Sequence, residues 1–209
     1  MQILSTAYLP NILYFSKLLA GEPVLIEAHE HYTKQTFRNR CEIYGANGRQ
    51  TLSIPVRRVE GNHTPIRLVE VDNTVAWQNN HWRSIKSAYG SAAYFDFVGD
   101  VLQPFYAQRH CLLLELNMAL LRSICRFMGV SPVVEYTSVF VSAYGDEVDD
   151  CRKNISPKVR QWSQFGAVEY YQVFAERHGF LPNLSIIDLL FNEGLNAVNI
   201  VRRSRCIEL

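Results

Sequence analysis

Residues 2–26 have the sequence QILSTAYLPNILYFSKLLAGEPVLI, in which two apolar runs flank a segment with helical spacing. This order predicts a strand over residues 2–6, a helix over 12–19 and a second strand over 23–26. A strand, a helix and a strand in succession form a βαβ unit whose strands are parallel neighbours. The stretch therefore predicts an α/β fold that begins with a Rossmann-like βαβ unit.

The turns that follow the two predicted strands place polar side chains at one edge of the sheet. Carboxyl ends of parallel strands share an edge, and ligands of open α/β sheets bind there. The sequence puts four such side chains in these turns: Tyr8, Asn11, His29 and His31. Asn11 also precedes the helix, whose first backbone N–H groups we expect to be unpaired and available to an anion.

Residues 27–40, EAHEHYTKQTFRNR, carry the densest polar chemistry of the chain. His29 and His31 are two apart, so they point the same way on an extended chain, and neutral imidazoles are good general bases near pH 7. With Glu27 or Glu30 they also form a set of potential zinc ligands. The sequence has no HExxH motif and no cysteine pair, so we predict no metal site. The alternative is a solvated loop tip.

A basic cluster, Lys34, Arg38, Asn39 and Arg40, ends the same segment. The planar guanidinium of arginine matches carboxylate and phosphate groups, which favours an anionic ligand. The alternative is a solvated strand face on which the arginines pair with Glu42. Asn39 shares the other strand face with apolar residues, so its amide must find partners inside the protein.

The remaining chain predicts a hairpin and then helices. Asn47-Gly48 marks the turn of an antiparallel hairpin, and helical spacing dominates from residue 73 onward. Weaker strand patterns lie over residues 66–71, 133–138 and 170–174. We therefore predict a single α/β domain over residues 1–209, sheet-rich over 1–72, with a mainly helical second half, 73–209, packed on the sheet.

The composition excludes several classes of protein. Apolar residues make up 48% and charged residues 20% of the chain, and the formal net charge is +1. These values are ordinary for a globular domain and argue against a nucleic-acid binder that works through bulk charge. No apolar run is long enough for a membrane span. The five cysteines contain no CxxC pair, which favours a reducing compartment and a cytoplasmic protein.

Two aromatic residues of the helix that begins at Trp77 are candidates for binding or for the core. Trp82 lies beside cationic side chains, which suits stacking on a sugar or a base. Tyr89 is most simply a core residue. For Trp82, both ligand stacking and core packing remain possible interpretations.

The segment that follows Pro182 places an acidic residue inside an apolar helix. Ser185-x-x-Asp188 matches a capping box, and that pattern by itself explains Asp188. The alternative is a catalytic or ligand-binding carboxylate. Asn183 and Asn192 frame the same helix and are candidates for caps or ligand contacts.

Four blocks in the same order resemble the WbqC-like family of bacteria: YLPNILYF (8–15), HEHYTKQTFRNRCEI (29–43), HWRSIKSAYG (81–90) followed by AYF (93–95), and FLPNLSIIDLLFN (180–192). The resemblance covers most of the chain. Members of the family are similar to proteins encoded with O-antigen and other surface-polysaccharide genes. The resemblance therefore implies a transferase, with transfer of an aminoacyl group such as glycine to an amino sugar as a proposed role.

The resemblance also implies which residues form the site. The family pattern falls on these positions: Tyr8, Pro10, Tyr14, Phe15, Lys34, Asn39, Arg40, Trp77, Tyr89, Tyr94, Phe95, Asn183, Leu184, Ser185, Asp188 and Asn192. Other members often have aspartates in place of the HEH sequence, which favours Lys34, Asn39, Arg40 and Asp188 over the histidines.

These arguments lead to a set of expected site residues. We expect Asp188, His31 and His29 to be catalytic, with Asp188 or His31 as the base for the attacking amine. We expect the ligand to contact the following residues: Tyr8, Asn11, Lys34, Asn39, Arg40, Trp82, Tyr89, Asn183 and Asn192. The expected partner is a nucleotide-linked or carrier-linked sugar, and the sequence names no cofactor.

Three other functions remain open. A non-catalytic module that binds a sugar nucleotide or a carrier fits the same basic residues. A nucleotidyltransferase-like enzyme fits the βαβ start, although YLPN lacks the paired histidines of the HxGH motif. A structural partner in a glycan-assembly complex would show an exposed apolar patch.

Overall fold

The computed structural model describes residues 1–158 and 165–206. The strands are β1 (Gln2–Ser5), β2 (Val24–Glu27), β3 (Arg40–Gly45), β4 (Gly48–Ser53), β5 (Val56–Arg57), β6 (Glu70–Val71), β7 (Val134–Tyr136), β8 (Asp149–Asp150), β9 (Phe165–Gly166) and β10 (Arg205–Cys206). The α-helices are α1 (Ile12–Leu18), α2 (Trp77–Tyr89), α3 (Phe95–Tyr106), α4 (Leu113–Phe127), α5 (Ala175–His178), α6 (Ile186–Glu193) and α7 (Ala197–Arg203).

The α/β fold and its N-terminal βαβ unit are confirmed. β1 pairs with β2 in parallel, from Gln2 opposite Val24 to Ser5 opposite Glu27. The predicted strand over residues 133–138 is β7, which pairs with the other side of β2. β8 pairs in parallel with β1, so the sheet order is β7-β2-β1-β8. The second half of the chain thus supplies strands to the sheet as well as the helices.

The order of the strands creates a topological switch point. The chain runs from β1 to β2 and then to β7 on one side, and returns to place β8 on the other side of β1. The boundary between β1 and β8 is therefore where the direction of strand addition reverses. Ligands of open α/β sheets bind outside the carboxyl ends of the strands at such a point.

The start of α1 is closed by the C-terminal part of the chain. The N–H groups of residues 12–14 donate to the carbonyl oxygen of Leu184 (3.1 Å) and to the side-chain oxygens of Asn183 (2.8 Å) and Asn11 (2.9 Å). The expectation that this helix start offers unpaired N–H groups to an anion is therefore wrong. Asn11 is the N-cap and Asn183 pairs the next donor, so both contribute to folding.

Two weaker strand predictions fail. Residues 66–71 form a 3-10 turn, Ile66–Leu68, and only the short strand β6. Residues 170–174 form no strand in the described parts of the chain, because Tyr170 and Gln172 turn inward to bind another side chain. The hairpin β3–β4 is confirmed, with Gly45 opposite Gly48.

Helices from both halves pack around one apolar core. α1, α4, α6 and the apolar face of α2 contribute buried side chains to one continuous cluster with the strands β1 to β4. None of the helices in residues 1–158 and 165–206 has the length and hydropathy that a membrane crossing requires.

Candidate binding site at the carboxyl edge of the parallel sheet

Arg38 is held in a buried ion pair beside the end of β1. Its Nε and Nη2 atoms donate to the two carboxylate oxygens of Glu30, and Nη2 also donates to Ser5 Oγ at 2.8 Å. Arg38 and Glu30 are each 7% exposed. The bidentate geometry fixes the guanidinium plane, because Nε and Nη2 both donate to the same carboxylate.

Arg152, two residues beyond the end of β8, forms a second ion pair at the same edge. Its Nε and Nη2 atoms donate to Asp150 (2.8 and 2.6 Å), and Nη1 donates to Glu27 at 3.0 Å. The guanidinium also lies over the rings of Phe140 and Tyr144, at 5.4 and 5.1 Å from their centroids. Glu27 is fully buried, so this pair is a stable part of the sheet edge.

A small cavity lies between the two arginines at the β1/β8 boundary. Its wall includes Ser5, Tyr14, Arg38 and Arg152. The centre of a water molecule can occupy only about 10 Å³ of it, which is roughly room for one water. The cavity thus sits at the switch point and faces two cationic side chains.

The residues after β2 form a short backbone pairing with the segment before α2. Tyr32 N donates to the carbonyl oxygen of Thr64 (2.9 Å), and Ile66 N donates to that of Glu30 (2.8 Å). Glu30 and Tyr32 point inward and are buried. His29 and His31 alternate with them and point outward together, as their spacing predicts.

Three histidines lie on the outer side of this backbone pairing. His29 Nδ1 accepts a hydrogen bond from Arg67 Nη1 at 3.3 Å. The rings of His31 and His63 meet edge to face, 5.5 Å apart. We call these three residues the histidine ladder. Within the described parts of the chain, no group of three or more His, Cys, Asp or Glu side chains has the geometry to hold a metal ion.

Four cationic side chains belong to this part of the protein, and we call them the cationic rim: Lys34, Arg40, Arg58 and Arg67. Arg67 contacts His29, Arg58 and Arg40 lie near Tyr32, and Lys34 follows His31 by three residues in the chain. Lys34 is exposed and makes no hydrogen bond or ion pair with the described residues, and the Nε atom of Arg40 is buried without a partner. Arg58 donates to Asn62. Burial raises the pKa of the Tyr32 hydroxyl, and nearby Arg58, Arg38 and Arg40 oppose that rise.

The solvated-face alternative for the basic cluster is wrong in one respect. Glu42 pairs with Arg49 at 2.6 Å across the hairpin, rather than with Arg38 or Arg40. Asn39 donates from Nδ2 to the carbonyl oxygen of Ile54 at 2.8 Å, so its half-buried amide has a backbone partner. Asn39 therefore extends the hairpin beside the rim.

Asp188 lies inside the core, remote from solvent. Its carboxylate is fully buried and accepts hydrogen bonds from Tyr89 Oη (2.7 Å), Tyr170 Oη (2.6 Å) and Gln172 Nε2 (2.9 Å). Burial raises the pKa of Asp188, and these three donors lower it by a smaller amount. The predicted capping box is not formed, because the Ser185 hydroxyl donates to the Leu9 carbonyl oxygen instead.

Tyr8 belongs to a second internal network. Its hydroxyl is 2.9 Å from His81 Nδ1 and 2.7 Å from Tyr106 Oη, and His81 Nε2 lies 3.2 Å from the Ser53 carbonyl oxygen. Since a carbonyl only accepts, the proton of the neutral ring is on Nε2. Burial lowers the pKa of His81 to about 4. Trp82 stacks on Tyr106 nearby and is half-buried.

The structure divides the expected site residues into two groups. His29 and His31 follow the carboxyl end of β2, and Lys34, Asn39 and Arg40 belong to the segment that leads from there into β3. The others lie in the core or at helix ends: Tyr8, Asn11, Trp82, Tyr89, Asn183, Asp188 and Asn192. Asn192, for example, donates from Nδ2 to the Asp188 carbonyl oxygen at 2.7 Å.

Sequence reasoning missed the buried charges at this edge. Glu30 alternates with His29 and His31, so strand alternation could have predicted that Glu30 points inward and needs a cationic partner such as Arg38. Glu27 is an acidic residue at the end of an apolar strand, which was a second sign of a buried charge. Nothing in the polar stretch around Arg152 distinguished that residue, because β8 is only two residues long.

Comparisons with known proteins show the family of this chain. The chain is 31% identical to uncharacterized protein Rv1507c of Mycobacterium tuberculosis (strain ATCC 25618 / H37Rv), over 232 aligned positions that cover 97% of each chain. No solved structure matches it. The model of the WbqC-like protein family matches residues 6–159 and 152–200, which include both sides of the sheet edge. The chain therefore belongs to the WbqC-like protein family.

Proposed function

We propose that this protein is a transferase of surface-polysaccharide biosynthesis that binds the phosphate groups of a nucleotide-linked or carrier-linked sugar on the cationic rim. The observation that carries the proposal is the difference between two sets of cations. Arg38 and Arg152 are paired with carboxylates, whereas Lys34 and the Arg40 Nε have no partner among the described residues. Unpaired cations at the carboxyl edge of a parallel sheet favour a bound anion.

The histidine ladder supplies the chemistry in this proposal. In aminoacyl transfer to an amino sugar, the amine nitrogen attacks the acyl carbonyl, a base takes the amine proton, and the acyl carrier leaves. His31 is exposed and has no carboxylate partner among the residues that the structure describes, so it is reachable by such an amine. Rim donors stabilise the negative oxygen that forms. Asp188, the other expected base, is fully buried among its three donors, so an amine at the rim does not reach it.

Removal of the rim cations is expected to weaken binding of nucleotide sugars. Arg40→Ala or Lys34→Ala should raise the dissociation constant by about tenfold or more, because a hydrogen bond to a charged group contributes roughly 1.5–3 kcal/mol. Calorimetric titration against a panel of nucleotide sugars and ATP measures this. Arg83→Ala and Lys86→Ala, on the exposed face of α2, are matched controls. Equal affinity in all variants, or binding of ATP alone, would contradict the proposal.

Replacement of His31 separates binding from transfer. His31→Gln is expected to bind the sugar with normal affinity and to transfer the aminoacyl group about a hundredfold more slowly, as loss of a general base predicts. His178→Gln, at an exposed histidine that contacts the Ala46 carbonyl oxygen, is the control. Product formation by mass spectrometry is the readout. Wild-type turnover in His31→Gln would remove His31 from the mechanism.

A further inference from the structure

The cavity at the β1/β8 boundary is lined by guanidinium groups with unused donors. Arg38 has five N–H donors and uses three, so both donors on its Nη1 have no partner in the described chain. Arg152 also uses three of five, which leaves one donor on each Nη atom. Since guanidinium cannot accept, these positions require an acceptor.

Two hydroxyl groups add to the same wall. Tyr14 lines the cavity, and its hydroxyl makes no hydrogen bond within residues 1–158 and 165–206. Ser5 Oγ accepts from Arg38 and keeps its own hydrogen for another acceptor. Arg38, Arg152, Tyr14 and Ser5 therefore all line one small space, and each has a hydrogen left to donate.

We propose that this cavity binds one anionic oxygen group of a ligand, a carboxylate or a phosphoryl group. Its size admits about one oxygen atom, so the remainder of the ligand stays outside the sheet edge. Glu30, Asp150 and Glu27 hold the two guanidiniums by other N–H groups and orient them in advance. Donors fixed before binding need no rearrangement when a charged oxygen arrives.

The surrounding carboxylates do not turn this cavity into a site for a cation. Three carboxylates and two guanidiniums are nearby, so the local sum of charge is slightly negative. Each of those carboxylates, however, already accepts from a guanidinium. An ammonium or metal ion in the cavity would face guanidinium and hydroxyl hydrogens, which repel it.

Small anions test the site directly. Titration of the wild-type chain with inorganic phosphate and with acetate, each compared with chloride at equal ionic strength, is expected to show binding of at least one of the two. Phosphate alone assigns a phosphoryl group, and acetate alone assigns a carboxylate. Tyr14→Phe and Ser5→Ala should each weaken that binding by about tenfold, since each removes one donor to a charged group.

The controls keep the result independent of the transferase proposal. Tyr136→Phe and Ser16→Ala, outside the cavity wall, should bind the anion as the wild type does. Lys34→Ala should also retain it, although that variant loses the nucleotide sugar. The site is refuted if neither anion binds better than chloride. Equal affinity in wild type, Tyr14→Phe and Ser5→Ala refutes it as well.

Discussion

Replacement of Glu30 by leucine is expected to lower the free energy of unfolding by about 3–5 kcal/mol. The change leaves Arg38 with a buried charge and no counterion, and such a break costs far more than the pair itself contributes. Both side chains of the pair are 9% exposed, so water cannot replace the carboxylate. For a chain of 209 residues each kcal/mol corresponds to roughly 2–4 °C in melting temperature.

The double variant distinguishes an unpaired charge from simple loss of packing. Glu30→Leu with Arg38→Leu removes both charges, and its stability should lie well above that of Glu30→Leu, because apolar pairs of similar volume often replace buried ion pairs without loss. Urea unfolding of the wild type, both single variants and the double variant gives the coupling energy. Additive effects would contradict the expectation. A folded double variant that no longer binds small anions would separate the binding role of Arg38 from its structural role.

Replacement of Asp188 by alanine is expected to cost about 4 kcal/mol or more. The buried hydroxyls of Tyr89 and Tyr170 lose their acceptor at once, and each unsatisfied buried group costs roughly 1–3 kcal/mol, to which the cavity adds a further loss. Gln172 loses one hydrogen bond but keeps the Leu181 carbonyl oxygen as a partner. Urea unfolding measures the loss. Leu189→Ala, beside it on α6 and equally buried, is the reference for a cavity without orphaned donors. A smaller loss for Asp188→Ala than for Leu189→Ala would contradict this account.

The same carboxyl gives stability a pH dependence of known sign. Burial raises the pKa of Asp188 in the folded chain above its unfolded value of about 3.8. The folded state therefore binds this proton more tightly, so its contribution is complete below the unfolded pKa. It declines as the pH rises through the folded pKa. Between the unfolded and the folded pKa, the melting temperature of the wild type should change with pH differently from that of Asp188→Asn. The same pH dependence in both proteins would contradict the assignment.

The parts of the fold that were predictable are those with local signals. The βαβ unit was predictable because two apolar runs flank a segment with helical spacing. The outward direction of His29 and His31 followed from strand alternation. The hairpin followed from Asn47-Gly48.

The remainder depends on partners far apart in the chain. Tyr170 and Gln172 looked like strand residues, but both bind a carboxylate on α6. Arg152 enters the site through a strand of two residues, which carries no period at all. The pairing of Glu27 with Arg152 was therefore not predictable, because an ion pair across 125 positions leaves no local pattern.

The pairing of the α1 start by residues 183 and 184 affects when the protein can fold during translation. The hydrogen bond from Leu13 to Asn183 spans 170 positions, and β8 joins the sheet only at residue 149. The N-terminal βαβ unit is synthesised first, but the start of its helix is paired only after nearly all of the chain has been made. Contacts of such long range slow folding and leave early segments exposed during translation. A nascent chain stalled before residue 183 should hold an N-terminal unit that protease cleaves far faster than in the finished protein.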